Sequence, residues 1–274
     1  MNAATLRVAA AQVAAKTADV NHNLNSLSQM AEDAAQKNAD VIVFPELFLS
    51  GYNAGSRFSE VAEESDGTIF MQVAALAKRL KIAICYGYPE RADAKMFNSA
   101  QLVSAEGRSI ANHRKTQLYG AYEREWFTAG EDHLSSVSYH GFILSTLICY
   151  EIEFPEPARA NALNGANVIL VPTATTEANN PEQVAQLMVR ARAAENNLYV
   201  VYVNHASGED GIEFNGSSLV VGPLGTIHAA ASGSSAQLLI TDIEQSRITE
   251  VSEVNPYLSD VRKDLFLKPI SSGD

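Results

Sequence analysis

Short apolar runs alternate along the chain with amphipathic stretches. Read by period, they predict a strand over 6–13 and a helix over 21–37, where Leu24, Leu27, Met30, Ala31 and Ala34 share one face. A buried strand over 39–44 stops at Pro45-Glu46, and a Gly-containing loop follows through Gly55. A second helix over 69–80 leads into a strand over 82–88. A hairpin comes next, with strands over 98–104 and 109–114 about a turn at Glu106-Gly107.

After residue 140 the same order returns. A strand over 142–149 ends on Cys149, and Pro155 opens a helix that runs to 164. A strand over 166–172, a helix over 181–196, a strand over 198–204 and a hairpin within 214–228 complete the series. The run Ala166-Asn-Val-Ile-Leu-Val-Pro172 mirrors Ala39-Asp-Val-Ile-Val-Phe-Pro45. The offsets between matching runs are about 116 to 134 residues, far longer than a solenoid period, so they indicate an internal duplication. Two strand-rich halves bury their apolar strands best by packing sheet on sheet with helices outside. The expected fold is therefore α/β, a four-layer α-β-β-α sandwich with a pseudo-two-fold axis. A last strand over 236–242 is expected to complete the second sheet. Residues 1–274 are read as a single domain. Residues 243–274 form a C-terminal extension with less pattern, a candidate arm between subunits. Its anchors would be Tyr257, Leu258, Leu265, Phe266 and Leu267, with the last four residues disordered.

Composition narrows the function classes. The 274 residues are 46% hydrophobic and 19% charged, as in ordinary soluble domains. A net charge of −12 without a Lys/Arg cluster argues against nucleic acid and anionic membrane as partners. Cys85 and Cys149 have neither metal-ligand spacing nor a disulfide framework, which suits a reducing cytoplasm. The N-terminal residues lack the apolar core of a secretory leader, and no apolar run approaches the roughly 20 residues that span a bilayer.

Four residues stand where chemistry could be placed. Cys149 lies between a strand and a helix, where a fold can present a nucleophile. Glu46 follows a buried strand, Lys115 ends a hairpin strand, and Glu123 lies in Gly120-Ala-Tyr-Glu-Arg-Glu-Trp-Phe-Thr-Ala-Gly130. Singly each has a bland reading: a packed thiol, a capping carboxylate, a solvated lysine. His113, His133, His140, His205 and His228 could offer a Cys–His pair instead, but no such local signature surrounds Cys149. Cys85, in mid-strand, reads as core.

Taken together, Phe-Pro-Glu46, the Arg-Lys115 segment with its Glu-x3-Phe-x2-Gly continuation, and Cys149-Tyr-x3-Phe-Pro-Glu156 resemble the three signatures of the nitrilase superfamily of carbon–nitrogen hydrolases. The resemblance spans almost the whole chain and implies the same α-β-β-α sandwich. It implies Cys149 as nucleophile, Glu46 as general base, Lys115 as third member of a triad, and Glu123 as the carboxylate that orients the lysine. Glu123 is preferred over Glu125 on its distance to Phe127 and Gly130. Glu151, where many members carry Asp, is expected to be structural. The resemblance implies no metal or organic cofactor and a homodimer or higher homo-oligomer.

Within that family, nitrilases usually carry Trp after the nucleophile, so Tyr150 points to an amide. Carbamoyl-amino-acid hydrolases usually carry arginine where this chain has Glu153 and Phe154. A carboxylate there disfavours an anionic substrate and suits a neutral or amine-bearing carboxamide, unless Glu153 pairs with Arg159. Tyr52, Trp126 and Thr173 join Tyr150 and Glu153 as candidate substrate contacts, and Phe48 and the rest of the run from Thr173 to Glu177 are expected to shape the pocket. The expected reaction is hydrolysis of a small carboxamide to acid and ammonia through a cysteine thioester. Alternatives are a carbamoyl-amide hydrolase or nitrilase of the same family, a non-catalytic small-molecule-binding or scaffold member, and a sensor thiol without a resolving cysteine at CxxC spacing.

Overall fold

The structure is a computed structural model that describes residues 4–179 and 183–266. Among these, twelve strands form two sheets of six. Strands β1 (Thr5–Gln12), β2 (Val41–Val43) and β3 (Ala83–Ala92) run parallel. Strands β4 (Lys95–Val103) and β5 (Ser109–Arg114) extend that sheet as antiparallel hairpins. The second sheet repeats the plan. Strands β7 (Phe142–Thr146), β8 (Val168–Pro172) and β9 (Tyr199–Val203) are parallel, and β10 (Leu219–Val221) and β11 (Ile227–Ala230) are antiparallel.

The side-chain period of two explains the layers. Leu6, Val8 and Ala10 of β1 meet Leu144, Leu170, Val201 and Val203 in a core between the sheets. Ala9, Ala11 and Val13 point the other way, onto Leu27, Ala31 and Ala34 of helix Val20–Gln36 and onto Val73 and Ala77 of helix Thr68–Leu80. On the far side, Ile169, Val171, Val200 and Tyr202 pack under helix Pro155–Leu163 and the helix that ends in Arg190–Glu195. The four layers follow from three apolar clusters, and Cys85 lies fully buried in the central one.

Three details depart from the sequence reading. Strand β12 (Gln237–Glu244) does not complete the second sheet; it pairs antiparallel with β1 of the first, Thr5 opposite Glu244 through Gln12 opposite Gln237. The short strand β6 (Val137–Tyr139) takes the corresponding edge of the second sheet beside β7. Each sheet thus closes its exposed parallel edge with an antiparallel strand, and β12 straps the two halves together. β3 runs on past Tyr88 and turns into β4 through Asp93 and Ala94, both at positive φ, as a two-residue hairpin turn requires. β7 stops at Thr146, so Cys149 opens a 3-10 turn, Cys149–Glu153, instead of ending the strand.

The expected helix over 181–196 has a π-helical part, Val184–Val189, before Arg190–Glu195; its expected start at Pro181 lies outside the described residues. The C-terminal segment carries helix Gln245–Val254, and Tyr257 and Leu265 expose about half their surface. Leu267 and the last four residues lie outside the described residues. No helix among the described residues is long and apolar enough to cross a membrane.

Candidate active site

The site is built where strands end. Glu46 follows β2, Lys115 follows β5, Cys149 follows β7, and Thr173 to Thr175 follow β8. The parallel strands share one direction, so their carboxyl ends deliver these segments to the same edge of the sandwich. Two backbone features fix the delivery. Cys149 itself has φ +48°, a left-handed conformation that a non-glycine residue adopts only under tertiary constraint. Gly130, the last residue of the Glu-x3-Phe-x2-Gly run, donates its N–H to the Lys115 carbonyl at 2.8 Å. A Cβ on Gly130 would collide with the Arg114 carbonyl, so only glycine lets the strand bearing Lys115 lie this close.

The three charged groups meet with no solvent exposure. Lys115 Nζ lies 2.6 Å from Glu46 Oε1 and 2.7 Å from Glu123 Oε1. Asn98 Nδ2 donates to Glu46 Oε1 at 2.6 Å, and the Tyr52 hydroxyl donates to Glu123 Oε1 at 2.8 Å. The Tyr119 N–H donates to Glu123 Oε2 at 2.9 Å. Glu46 Oε2 is the exception: it is buried and has no hydrogen-bond partner among the described residues. Glu125, two residues beyond Glu123, is exposed.

Burial sets the protonation states. It pushes the Glu46 carboxyl up to about 7, and the Glu123 charge adds to this against Lys115. Burial also opposes the charge on Lys115, but Glu123 and Glu46 outweigh it and hold the ammonium firmly protonated. The Cys149 thiol is pushed well above its ordinary range by burial and by the Glu46 charge, with Lys115 and the Ala174 N–H acting the other way. The resting arrangement is a neutral thiol beside a carboxylate poised near neutrality. A base of that kind can accept a proton from a neighbouring thiol near neutral pH.

A second tier holds the triad in register. Glu151 is fully buried and accepts hydrogen bonds from Thr116 N–H at 2.8 Å, Thr116 Oγ1 at 2.6 Å and Ile148 N–H at 2.6 Å, and pairs with His113 Nε2 at 2.8 Å. It ties the lysine segment to the cysteine turn, a structural role as expected. His205 Nε2 lies 2.7 Å from the Glu46 carbonyl, to which it donates, and its ring stacks on Phe214 at 4.7 Å. Burial depresses its pKa and keeps it neutral. No histidine among the described residues hydrogen-bonds the thiol. Arg192 caps the cysteine turn through the carbonyls of Ile152 at 3.1 Å and Glu153 at 2.6 Å.

The candidate substrate contacts divide. Tyr52 and Ala174 line a cleft of about 320 Å³ with Tyr119, Tyr122, Thr176 and Ile212, and both also touch the triad's surroundings. Tyr150 is half-buried and packs edge-on against Tyr119 and Phe154. Glu153 is half-buried. Its carboxyl is pushed up by burial and down by Lys115, and no cation among the described residues pairs with it, Arg159 included. Trp126 packs against the apolar cluster of Tyr52, Phe58 and Phe127. Thr173 does not line this cleft: it is buried, its hydroxyl donates to the Val171 carbonyl at 3.0 Å and also meets the Tyr202 hydroxyl, and its own carbonyl accepts the Glu46 N–H at 3.4 Å. A larger cleft of about 540 Å³, beside Arg114 and Glu90, contains none of the four charged or nucleophilic residues. No group of three or more His, Cys, Asp or Glu among the described residues is arranged to hold a metal ion.

The carbon-nitrogen hydrolase family model matches residues 7–253. The chain belongs to that family. Comparison with individual members of the carbon–nitrogen hydrolases agrees. The chain is 42% identical over 264 residues to a protein of Pseudomonas protegens named hydrolase in pqqF 5'region, covering 96% of this chain and 91% of that one. It is 34% identical over 224 residues to an (R)-stereoselective amidase of Pseudomonas sp., covering 81% and 79%. The amidase from Nesterenkonia sp. AN1, solved as a double mutant in complex with acrylamide, superposes with a TM-score of 0.87 at 32% identity over 95% of both chains. The hydrolase is thus an enzyme of the amidase-bearing nitrilase superfamily, acting on carbon–nitrogen bonds other than peptide bonds.

Asn98, Tyr202 and Asn204 were not legible as site residues in the sequence. They are uncharged polar or aromatic side chains in strand-like or loop runs, and no spacing rule ties them to Cys149. Only the doubled half-pattern hinted at Asn98, whose Phe-Asn pair recurs at Phe214-Asn215.

Proposed function

We propose that this hydrolase is a thiol amidase that converts a small carboxamide to a carboxylic acid and ammonia through an acyl-thioester on Cys149. The observation that carries the reading is the division of labour on Glu46. Oε1 is held by Lys115 and Asn98, while Oε2 is buried without a partner among the described residues. Such an oxygen is suited to receive the thiol proton. Sulfur attacks the amide carbon as Glu46 takes that proton, and the carbonyl oxygen becomes an oxyanion. Lys115 Nζ is a donor for the oxyanion, and the Tyr150 N–H serves as the second. The C–N bond breaks as Glu46 returns its proton to nitrogen, and ammonia leaves. Water then attacks the thioester, giving one proton to Glu46. Collapse releases the acid and restores the thiol with the Glu46 proton, leaving one water consumed.

The charge of the site supports a neutral or cationic substrate. Two carboxylates face one ammonium in the buried cluster, and Glu153 adds an unpaired carboxylate on the cysteine turn. An anionic acyl group would meet net repulsion at low dielectric. Tyr52, Tyr150 and Glu153 are the contacts we assign to substrate. We extend the proposal to a homo-oligomer joined through the C-terminal segment, where Tyr257 and Leu265 are exposed.

Ammonia release from a panel of carboxamides, carbamoyl amino acids and nitriles tests the reading, with wild type and Cys149→Ala side by side. The expected result is release from carboxamides that disappears in the variant. Release from nitriles or carbamoyl compounds alone would replace it with the corresponding sister reaction, and binding without release from any compound would favour a scaffold.

A further inference from the structure

A hydroxyl pair approaches the nucleophile. Thr175 Oγ1 lies 3.8 Å from Cys149 Sγ and 2.9 Å from the Tyr202 hydroxyl. Thr175 is 4% exposed and Tyr202 is fully buried. The threonine is tethered on both sides of its backbone: its N–H donates to Asn204 Oδ1 at 2.9 Å, and its carbonyl accepts from Asn204 Nδ2 at 2.9 Å. Asn204 is itself fixed, donating from Nδ2 to the Gly216 carbonyl at 2.7 Å and from its N–H to Ser218 Oγ at 2.9 Å. A β-branched side chain on so constrained a backbone has little rotamer freedom. The hydroxyl is therefore held at the sulfur before substrate arrives.

We propose that Thr175 is a further catalytic residue that donates a hydrogen bond to Cys149 Sγ as the sulfur gives up its proton, with Tyr202 as the positioning residue behind it. Charge developing on sulfur here is poorly solvated. The ionisable groups that face it are Glu46, Lys115, Glu123, Tyr52 and Tyr202. Two of these are carboxylates that repel a thiolate. Lys115 and the Ala174 N–H offset them, and a neutral hydroxyl adds a donor without adding charge. Tyr202 donating to Thr175 Oγ1 leaves the threonine proton for sulfur and polarises it, as chained hydrogen bonds do. The opposite polarity would direct the thiol proton toward Thr175 instead of leaving it for the Glu46 carboxylate to take.

The inference rests on Cys149 being the nucleophile, so its test reads the thiol directly. The rate of alkylation by iodoacetamide is followed against pH for wild type, Thr175→Val, Thr175→Ser and Tyr202→Phe. Hydrogen bonds to charged groups are worth enough to move the midpoint for Thr175→Val up by about one pH unit and to slow turnover of the best carboxamide about tenfold, KM staying level. Thr175→Ser, which keeps the hydroxyl, should stay within about twofold of wild type, and Tyr202→Phe should fall between. An unmoved midpoint in Thr175→Val, or Thr175→Ser as impaired as Thr175→Val, would overturn the assignment. Should Thr175→Val fail to fold, wild-type behaviour of Tyr202→Phe in both assays would overturn it instead. Absence of ammonia release from wild type would count against the amidase reading alone.

Discussion

Glu151 accepts both the N–H and the hydroxyl of Thr116, at 2.8 and 2.6 Å, and so joins the cysteine turn to the residue after Lys115. Lys115 and Cys149 come from different halves of the duplication, and this carboxylate sets their distance. Burial would raise its pKa, but His113 and the hydrogen bonds from Thr116 outweigh that and hold it below the ordinary value of 4.5. A depressed carboxyl binds its proton less tightly folded than unfolded. Its stabilisation is therefore present above about pH 4.5 and is lost as pH falls through the lower folded value. Glu151→Gln removes this titration. Its urea midpoint should lie well below wild type at pH 7, and the gap should narrow below pH 4.5. A gap independent of pH would contradict the linkage.

Among the described residues, Lys115 is the only cation that pairs with the fully buried carboxylates of Glu46 and Glu123. Lys115→Ala should lower turnover ~100-fold or more, the usual effect of losing an oxyanion donor. It should also cost about 3–5 kcal/mol of stability by leaving buried charges unpaired. Adding Glu123→Gln to Lys115→Ala should recover part of the stability and none of the activity. Thermal melts and initial rates on the single and double variants check both. Additive losses of stability would contradict the account, because groups in direct contact couple.

Glu46 must be ionised to take the thiol proton, and burial lifts its pKa to about 7. The wild-type kcat/KM profile should therefore fall about tenfold per pH unit on the acid side of neutrality. Glu46→Gln should lose about 100- to 10,000-fold of the rate and show no acid limb of this origin. A wild-type acid limb near pH 4 would mean that the carboxylate is solvated in the working enzyme.

Gly87 of β3 offers a test of geometry without charge. A Cβ there would meet Leu47 N and the Pro45 carbonyl, the backbone on either side of Glu46. Gly87→Ala should shift that backbone, lower kcat more than it raises KM, and cost about 1–3 kcal/mol of stability as overpacking does. Wild-type kcat in a folded variant would show that Glu46 tolerates displacement.

The buried cluster of the candidate site was legible because its residues lay in register with three family motifs. The layers were legible because period-two alternation in β1 and the buried runs of β2 and β8 leave few packings. β12 was assigned to the wrong sheet because its alternation shows which faces are apolar and says nothing of its partner; the open edge of β1 decides that. The β3–β4 turn escaped because Asp93-Ala94 lacks the glycine that usually announces positive φ. Thr173 looked like a pocket residue from its place after β8, yet its hydroxyl bonds back to its own strand, and Thr175 reaches the thiol two residues later. Such choices depend on which neighbour offers a partner, information carried by the other half of the chain.

The central claim is a covalent acyl-enzyme on Cys149. Its most direct test uses an amide and an ester of one acyl group, each turned over in the presence of hydroxylamine. A shared thioester must partition between water and hydroxylamine in one ratio, whichever group has left. The account predicts equal ratios of hydroxamate to acid from the two substrates, and neither product from Cys149→Ala. Ratios that differ with the leaving group would contradict it, since they would mean that water or hydroxylamine attacks the bound substrate itself.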